Sequence, residues 1–490
     1  MPLLESVLLN LKWSQPLRSF LNELLLLVLI VPGRATFRNL SRYSGYVEKT
    51  FSRWFRRQVN WAALNVAAIR AVVPAAHESV LAFDPSYIPK SGKHTEGLGH
   101  FWNGSTGRAE PGLEVNALSW VDVTANTAYT ISAEMTPPGT GAASATGTPA
   151  TPETPADPEP VSVQALSRRH KAKAKAKAKA KAKTKTKAKA KAKAKTKTKA
   201  KAKTKTKTKT KTKTKTKTKT KTKTKTKADP KAKDDDSRVD AYLAHLNRVI
   251  PKHDLTRLRY LTADGYFSKV KFVDGIVALK LDLISKLRRD ADARYLFTGP
   301  YAGRGAPRRY AGKVDWTCRD PAVFAAVVSP DPDLLLETAV VYLPRLRRRV
   351  RVVVVIHRQT QRLALLFSTA LDLDPATLYR YYVARFQIEF LFRDSKQFAG
   401  LTHCQARRTD ALTFQVNASL TAVSLSKLQA VQTYGYLPTP FSMASLVRRA
   451  FNEHFLKKIL AYSAQGQTLT ENSPAYETLC NYGIIQPATA

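Results

Sequence analysis

The chain has 490 residues and a formal net charge of +44. This length allows two to four domains with a sizeable core, and the charge indicates a polyanionic partner. Three widely spaced cysteines without a CxxC pair exclude a disulfide framework and argue against a structural zinc site. The longest apolar run, residues 24–32, is too short to cross a bilayer and no signal peptide is recognised, so we expect a cytoplasmic protein with no membrane partner.

Residues 1–75 are predicted to be helical, because large apolar side chains recur at helix-like spacings. Residues 36–43 and 47–58 predict two helices on either side of a turn at Gly45. The second helix carries four basic residues, Lys49, Arg53, Arg56 and Arg57. A short helix, a glycine turn and a basic helix are typical of a DNA-binding helix-turn-helix, and also of a plain helical hairpin. Both interpretations stay open for this candidate DNA-binding region.

From about Ser79 the pattern changes to strands. Residues 80–83 predict a strand that ends on Asp84, and residues 115–123 and 128–135 predict a hairpin. These elements form the first part of a predicted α/β core, residues 76–136.

The chain is then interrupted by residues 137–237. Residues 137–160 are rich in Pro, Gly, Thr, Ala and Ser, which predicts a disordered linker. From residue 171 to 227 every odd position is lysine, alternating with Ala or Thr, which predicts an extended, solvated arm. Removing these 29 charges from +44 leaves +15, so the inference of a nucleic-acid partner does not depend on the repeat. The arm is either a phosphate-binding element or a neutral repeat expansion in a tolerant loop, and its charge contacts DNA in both cases.

The second part of the predicted core, residues 238–293, contains a helix, a strand, a helix and a strand. These are residues 239–250, 259–263, 268–279 and 281–287, and the first of the two strands ends on Asp264. Three strands, a helix, a strand, a helix and a strand predict an α/β core whose order is similar to that of RNase H-like cores, although periodicity alone does not fix the topology. Residues 294–373 predict an inserted β-rich domain, and residues 401–490 a helical C-terminal region.

Between them, residues 374–400 predict one helix, with Asp374 as its N-cap and Gly400 at its end. At about 100° per residue, four side chains fall within roughly 60° of one another on this helix. They are Tyr382, Arg385, Glu389 and Lys396. Such a stripe suits metal and phosphate binding better than a core face, although an ordinary amphipathic helix with scattered charge remains the alternative.

The spacing Y-(2)-R-(3)-E-(6)-K resembles the signature of a large class of bacterial insertion-sequence transposases of the DDE superfamily. The sequences around Asp84 and Asp264, residues 83–86 and 262–266, are similar to the other two motifs of that class. So are the run from Asp84 to Gly104 and residues 112–114. The resemblance covers roughly residues 30–135 and 238–430.

The resemblance implies that Asp84, Asp264 and Glu389 are a catalytic triad that binds two Mg²⁺ or Mn²⁺ ions. Hard carboxylate oxygens are the donors that such ions prefer. Taken singly, an aspartate at a strand end is more typical of a turn or a cap than of a catalytic site. Asp122 and Asp274 are rival carboxylates, but neither lies in a matching motif.

The resemblance also implies roles for the other residues of the stripe. Arg385 and Lys396 are expected to hold DNA phosphates, and Tyr382 to hydrogen-bond a phosphate or stack on a base. Trp316 is a candidate for stacking on a base flipped from the DNA end, although a core tryptophan is the other interpretation.

The expected function is cut-and-paste DNA transposition, with metal-dependent cleavage at the element ends and strand transfer into target DNA. The expected partners are terminal inverted repeats, target DNA and a second copy of the chain in a synaptic homodimer, in a bacterial, nucleoid-associated setting. Three alternatives remain: a decayed or domesticated transposase that only binds DNA, a histone-like compacting protein, and a stand-alone nuclease.

Overall fold

A computed structural model describes residues 2–92, 94–138, 230–301, 303, 305–435, 441–465, 469–471 and 473–482, with the backbone alone for residues 230–237. The predicted lysine arm and most of the predicted linker lie outside the described residues. Within the described part of the chain, no helix is long and apolar enough to cross a membrane.

The first five helices confirm the helical prediction for the N-terminal region, and two more separate the core strands. They are α1 (Pro2–Asn10), α2 (Gln15–Ile30), α3 (Phe37–Arg42), α4 (Glu48–Trp54), α5 (Trp61–Val72), α6 (Pro230–Val249) and α7 (Val270–Ala278). The remaining helices follow the last strand. They are α8 (Pro375–Ala384), α9 (Gln387–Phe398), α10 (Thr409–Tyr434), α11 (Met443–Ala464) and α12 (Pro474–Cys480).

The strands found in the described residues all belong to one mixed sheet. They are β1 (Ser79–Pro89), β2 (Gly99–Asn103), β3 (Arg108–Asp122), β4 (Thr127–Thr136), β5 (Tyr260–Ala263), β6 (Asp282–Leu287), β7 (Arg294–Leu296), β8 (Tyr310–Lys313), β9 (Ala325–Val327), β10 (Leu334–Leu343), β11 (Arg348–His357) and β12 (Leu363–Ser368). Their order is β2-β3-β1-β5-β6-β12-β11-β10-β7-β8, with β4 on β3 and β9 on β10. The pairs β1–β5 and β5–β6 are parallel and the others antiparallel. The protein is therefore a mixed α/β protein with a large sheet.

The outer side of β4 is covered by helix side chains. The Asn417 side chain on α10 accepts from the backbone N–H of Ala133 at 2.9 Å and donates to its carbonyl at 2.8 Å. The Ser424 hydroxyl accepts from the N–H of Thr130 at 2.9 Å. On α5, Asn65 donates to the carbonyl of Ile131 at 3.0 Å. These bonds satisfy backbone groups of β4 that do not pair with β3. Helix α10 is therefore buried against the sheet.

The β-rich segment after residue 293 is joined to the core through backbone hydrogen bonds. β12 pairs antiparallel with β6 from Ile284 to Leu287, and β11 and β10 follow in the sheet. The segment therefore extends the core sheet and does not form a sheet of its own.

Several predicted boundaries are wrong, and three of these errors concern candidate functional residues. β1 continues past Asp84 to Pro89, so Asp84 lies inside the strand. The second N-terminal helix ends at Trp54, which leaves Arg56 and Arg57 beyond it. The predicted helix over residues 374–400 is two helices, because the N–H groups of Phe386, Ile388 and Glu389 bond three residues back and tighten the turn between α8 and α9.

Candidate active site

Two carboxylates come together because two parallel strands are in register. Phe83 on β1 and Ala263 on β5 are direct partners, so Asp84 and Asp264 follow at the same level on neighbouring strands. Asp264 caps the 3-10 turn Gly265–Phe267 and accepts from the N–H of Gly265. The hydroxyl of Ser285 donates to the Asp264 carbonyl at 2.9 Å. The backbone thus fixes both aspartates.

Glu389 reaches the same place from the first turn of α9. Nη2 of Arg385 lies 2.9 Å from Glu389 Oε1, and Nη1 lies 3.9 Å from Asp84 Oδ1. The Arg385 side chain is 11% exposed, and its Nε has no hydrogen-bond partner among the described residues. The guanidinium therefore bridges the sheet and helix sides of the site.

Lys396 and Tyr382 complete the group. Nζ of Lys396 donates to the Ser86 hydroxyl on β1 at 2.9 Å. The guanidinium carbon of Arg385 lies 5.7 Å from the centre of the Tyr382 ring. The expected single stripe is thus divided between α8 and α9, yet its four side chains still meet beside Asp84.

Burial shifts the pKa values of two charged groups in the site. Burial raises the pKa of Asp84 to about 7; Arg385 opposes this shift, while Glu389, Asp264 and Glu114 add to it. Burial lowers the pKa of Lys396, and Asp84 acts in the opposite direction. A cation beside Asp84 would stabilise its charged form.

The donor set has the chemistry that Mg²⁺ or Mn²⁺ prefers, since Asp84, Asp264 and Glu389 offer only hard oxygen atoms. Among the described residues, however, no three His, Cys, Asp or Glu side chains are placed to hold one ion together. Arg385 instead supplies positive charge to Glu389 and Asp84. The residues fit divalent ions provided that Glu389 exchanges its contact with Arg385 for a metal.

The rival carboxylates have structural partners. Asp122 is 2% exposed, contacts His77 at 2.8 Å and accepts from the N–H of Ala125, at the opposite end of β1 from Pro89. Asp274 pairs with Arg348. Trp316 is 6% exposed and donates to the Ala291 carbonyl at 2.7 Å, so it is a core residue in this structure.

The four basic residues of the N-terminal region are exposed and are not part of this site. Lys49 and Arg53 lie on α4, whereas Arg56 and Arg57 follow it. The opposite side of α4 packs through Phe51 and Trp54 onto Phe20 of α2. This arrangement leaves a basic surface open to solvent.

Sequence reasoning missed two supporting interactions. Glu114 is 6% exposed, accepts from the Tyr242 hydroxyl at 2.6 Å and contributes to the raised pKa of Asp84. Asp394 of α9 and Lys427 of α10 are each 3% exposed and lie 4.0 Å apart. Glu114 lies in residues 112–114, which are similar to a motif of the transposase class, so the sequence did point to it. Asp394 and Lys427 are distant in the chain and lie in no such motif, so nothing in the sequence indicated their ion pair.

Comparison with known proteins gives one family. The chain matches the family described as DDE superfamily endonuclease over residues 15–330. No curated protein gives a significant match. Glu389 lies beyond the matched residues, but Asp84 and Asp264 lie within them. Because the match spans more than half of the 490 residues, the chain belongs to the DDE superfamily of endonucleases.

Proposed function

We propose that the protein is a cut-and-paste DNA transposase of the insertion-sequence class, with Asp84, Asp264 and Glu389 as its catalytic carboxylates. The observation that carries the proposal is the register of β1 and β5, which sets two aspartates side by side, together with Arg385, which lies between Asp84 and Glu389. Two Mg²⁺ or Mn²⁺ ions would be held by these three residues and would activate the attacking oxygen and stabilise the leaving oxygen.

The chain's own residues bind and orient the DNA. Arg385 and Lys396 are half-buried cations beside the carboxylates, so a phosphate placed there exchanges water for charge-assisted hydrogen bonds. Tyr382 is half-buried against Arg385, and it is proposed to hydrogen-bond a phosphate or to stack on a base. Nζ of Lys396 donates a hydrogen bond to the Ser86 hydroxyl, which holds the ammonium group beside β1.

The rest of the fold supports the same proposal. The partial order β4-β3-β1-β5-β6, with β1, β5 and β6 parallel, favours an RNase H-like core. The exposed residues Lys49, Arg53, Arg56 and Arg57 are proposed to contact the terminal inverted repeats. A synaptic homodimer then pairs two DNA ends before strand transfer into target DNA.

The test is Mg²⁺-dependent nicking of a labelled duplex that carries the repeats flanking the gene. We expect cleavage at the repeat boundary that is lost in Asp84→Asn, Asp264→Asn and Glu389→Ala, each by about a thousandfold or more, because each removes a metal-binding group worth several kcal/mol. Asp274→Asn is the matched control, since this carboxylate pairs with Arg348 and should be dispensable for cleavage.

Retained cleavage in any one of the three variants would remove that residue from the site. Repeat-specific binding by the wild-type protein without cleavage at any Mg²⁺ or Mn²⁺ concentration would contradict the proposed enzyme and favour a DNA-binding protein derived from a transposase.

A further inference from the structure

A polar cleft opens where β1 ends. Its volume is about 770 Å³, within the range of ligand-binding clefts. One wall is the segment that follows β1, the other is the segment that follows α9, and Arg34 closes one side.

The cleft is strongly cationic. Arg34, Lys90 and Arg407 line it, and none of the described lining residues carries a carboxylate. The neighbouring carboxylates are engaged elsewhere: Glu96 accepts from the N–H of Thr409 at 2.8 Å, and Asp410 pairs with Arg408 at 2.7 Å. Positive charge without a protein counter-charge in a concave site favours an anionic ligand.

Arg34 and Arg407 are the free cations of this cleft. Both are exposed, and neither guanidinium has an ion pair or hydrogen bond within the described part of the chain. Lys90 is placed differently, because its Nζ donates to the carbonyls of Cys404 and Ala406 at 2.5 and 3.0 Å. It ties the two walls together and still contributes its charge.

The cleft continues the candidate active site along the same two elements. β1 leads from Asp84 past Ser86 to Lys90, and α9 leads from Glu389 past Lys396 to the wall that includes His403. Contacts link the strand and helix sides at three successive levels. Arg385, just before α9, lies beside Asp84; Lys396 donates to Ser86; and Lys90, just after β1, donates to the carbonyl of Cys404 beyond α9. A row of cations therefore runs from the carboxylates into the cleft.

The distance along this row suits a nucleic acid. At about 3.3 Å per residue, Lys90 lies about 20 Å from Asp84 along the strand. That length corresponds to about six base pairs at 3.4 Å each. A ligand that reaches from the carboxylates to Arg407 must be long as well as anionic.

We propose that this cleft binds the phosphodiester backbone of the DNA strand about six nucleotides from the scissile phosphate. The inference rests on the proposed function, because it takes Asp84, Asp264 and Glu389 as the point of cleavage. Arg34 and Arg407 contact the phosphates, and Lys90 links the two walls through the carbonyls of Cys404 and Ala406.

The experiment is an arginine footprint of the full-length protein in EDTA. Phenylglyoxal modifies arginine and leaves the 29 repeat lysines unmodified, so mass spectrometry measures the modification rate of each arginine in the cleft. Arg257 is the control: it is exposed and lies before β5, at the opposite end of that strand from Asp264. With the repeat-bearing duplex at about ten times its Kd, we expect modification of Arg34 and Arg407 to slow about tenfold, and that of Arg257 to be unchanged.

In a second experiment, inorganic phosphate replaces the duplex at the same total concentration of phosphate groups. Protection by phosphate as strong as that by DNA would overturn the proposal in favour of a small-anion site. Unchanged modification of Arg34 and Arg407 at saturating DNA would also overturn it, even if Mg²⁺-dependent cleavage is observed. Protection without any cleavage would support the cleft and contradict only the proposed enzyme, so the two failures are distinguishable.

Discussion

The two sides of the candidate active site are positioned in different ways. On the sheet side, backbone pairing of Phe83 with Ala263 fixes Asp84 and Asp264. On the helix side, Glu389 depends on side-chain contacts, namely Arg385 beside Asp84 and Lys396 on Ser86. Backbone ladders change little when one side chain changes, whereas a side-chain contact is lost with its residue. Helix-side substitutions should therefore alter cleavage geometry and leave the sheet side in place.

The largest effect on the helix side is expected from Lys427→Ala. This change leaves Asp394 of α9 buried beside α10, with Arg393 as its remaining cation, and should lower the free energy of unfolding by about 3 kcal/mol. Urea unfolding measures the loss. The double variant Asp394→Asn/Lys427→Met should recover most of it, because no buried charge is left unpaired. Equal loss in the double variant would mean that packing, not charge, holds α9 in place.

Arg385→Ala breaks the bridge between the two sides. We expect Mg²⁺-dependent cleavage to fall by about 10²–10³, the loss typical of one preorganised charge donor. Arg385→Lys should recover only part of the rate, because an ammonium group lacks the planar fork that spans Glu389 and Asp84. Wild-type rates in Arg385→Ala would show that the bridge has no part in cleavage.

Asp84→Asn, on the sheet side, is expected to raise thermal stability rather than lower it. The folded-state pKa of Asp84 is raised to about 7 from an ordinary 3.8, so without metal the native state binds its proton more tightly than the unfolded state. Wild-type stability should then fall as pH rises from about 4 to about 7. In EDTA, Asp84→Asn should gain in Tm relative to wild type across that interval, by about 2 °C or more at neutral pH. A pH-independent difference would contradict the raised pKa.

Ser86→Ala should have the smallest effect. It removes the acceptor for Lys396 Nζ, a hydrogen bond worth about 1 kcal/mol, so cleavage should slow by about fivefold. Thermal melting should be unchanged, since the β1–β3 ladder does not use this hydroxyl. A loss as large as that of Lys396→Met would show that Ser86 has a second role.

Local patterns were enough to predict much of the site. The strand before Asp264, the hairpin of β3 and β4, and the Asp374 cap of α8 are confirmed. Gly400, predicted as the helix end, has φ +65°, and a Cβ there would lie 2.8 Å from the Cβ of Ala35. These features depend on neighbours in the sequence, which is why the sequence reveals them.

The features that the sequence did not reveal depend on distant contacts. Pro85 and Pro89 argue for a strand that ends at Asp84, but β5 pairs only with residues Leu81–Phe83, so the rest of β1 is an edge where proline is tolerated. No glycine or proline marks the joint between α8 and α9. The pairing of β12 with β6 likewise has no local signal.

The most direct test of the account is to count bound Mn²⁺ by electron paramagnetic resonance on the full-length protein with the repeat-bearing duplex. Because the sheet and helix sides form one site, we expect about two ions per chain, with at least one lost in Asp84→Asn and equally in Glu389→Gln. Asp274→Asn should keep both. Mn²⁺ binding that does not change in Glu389→Gln would contradict the claim that the two sides form a single metal-dependent site.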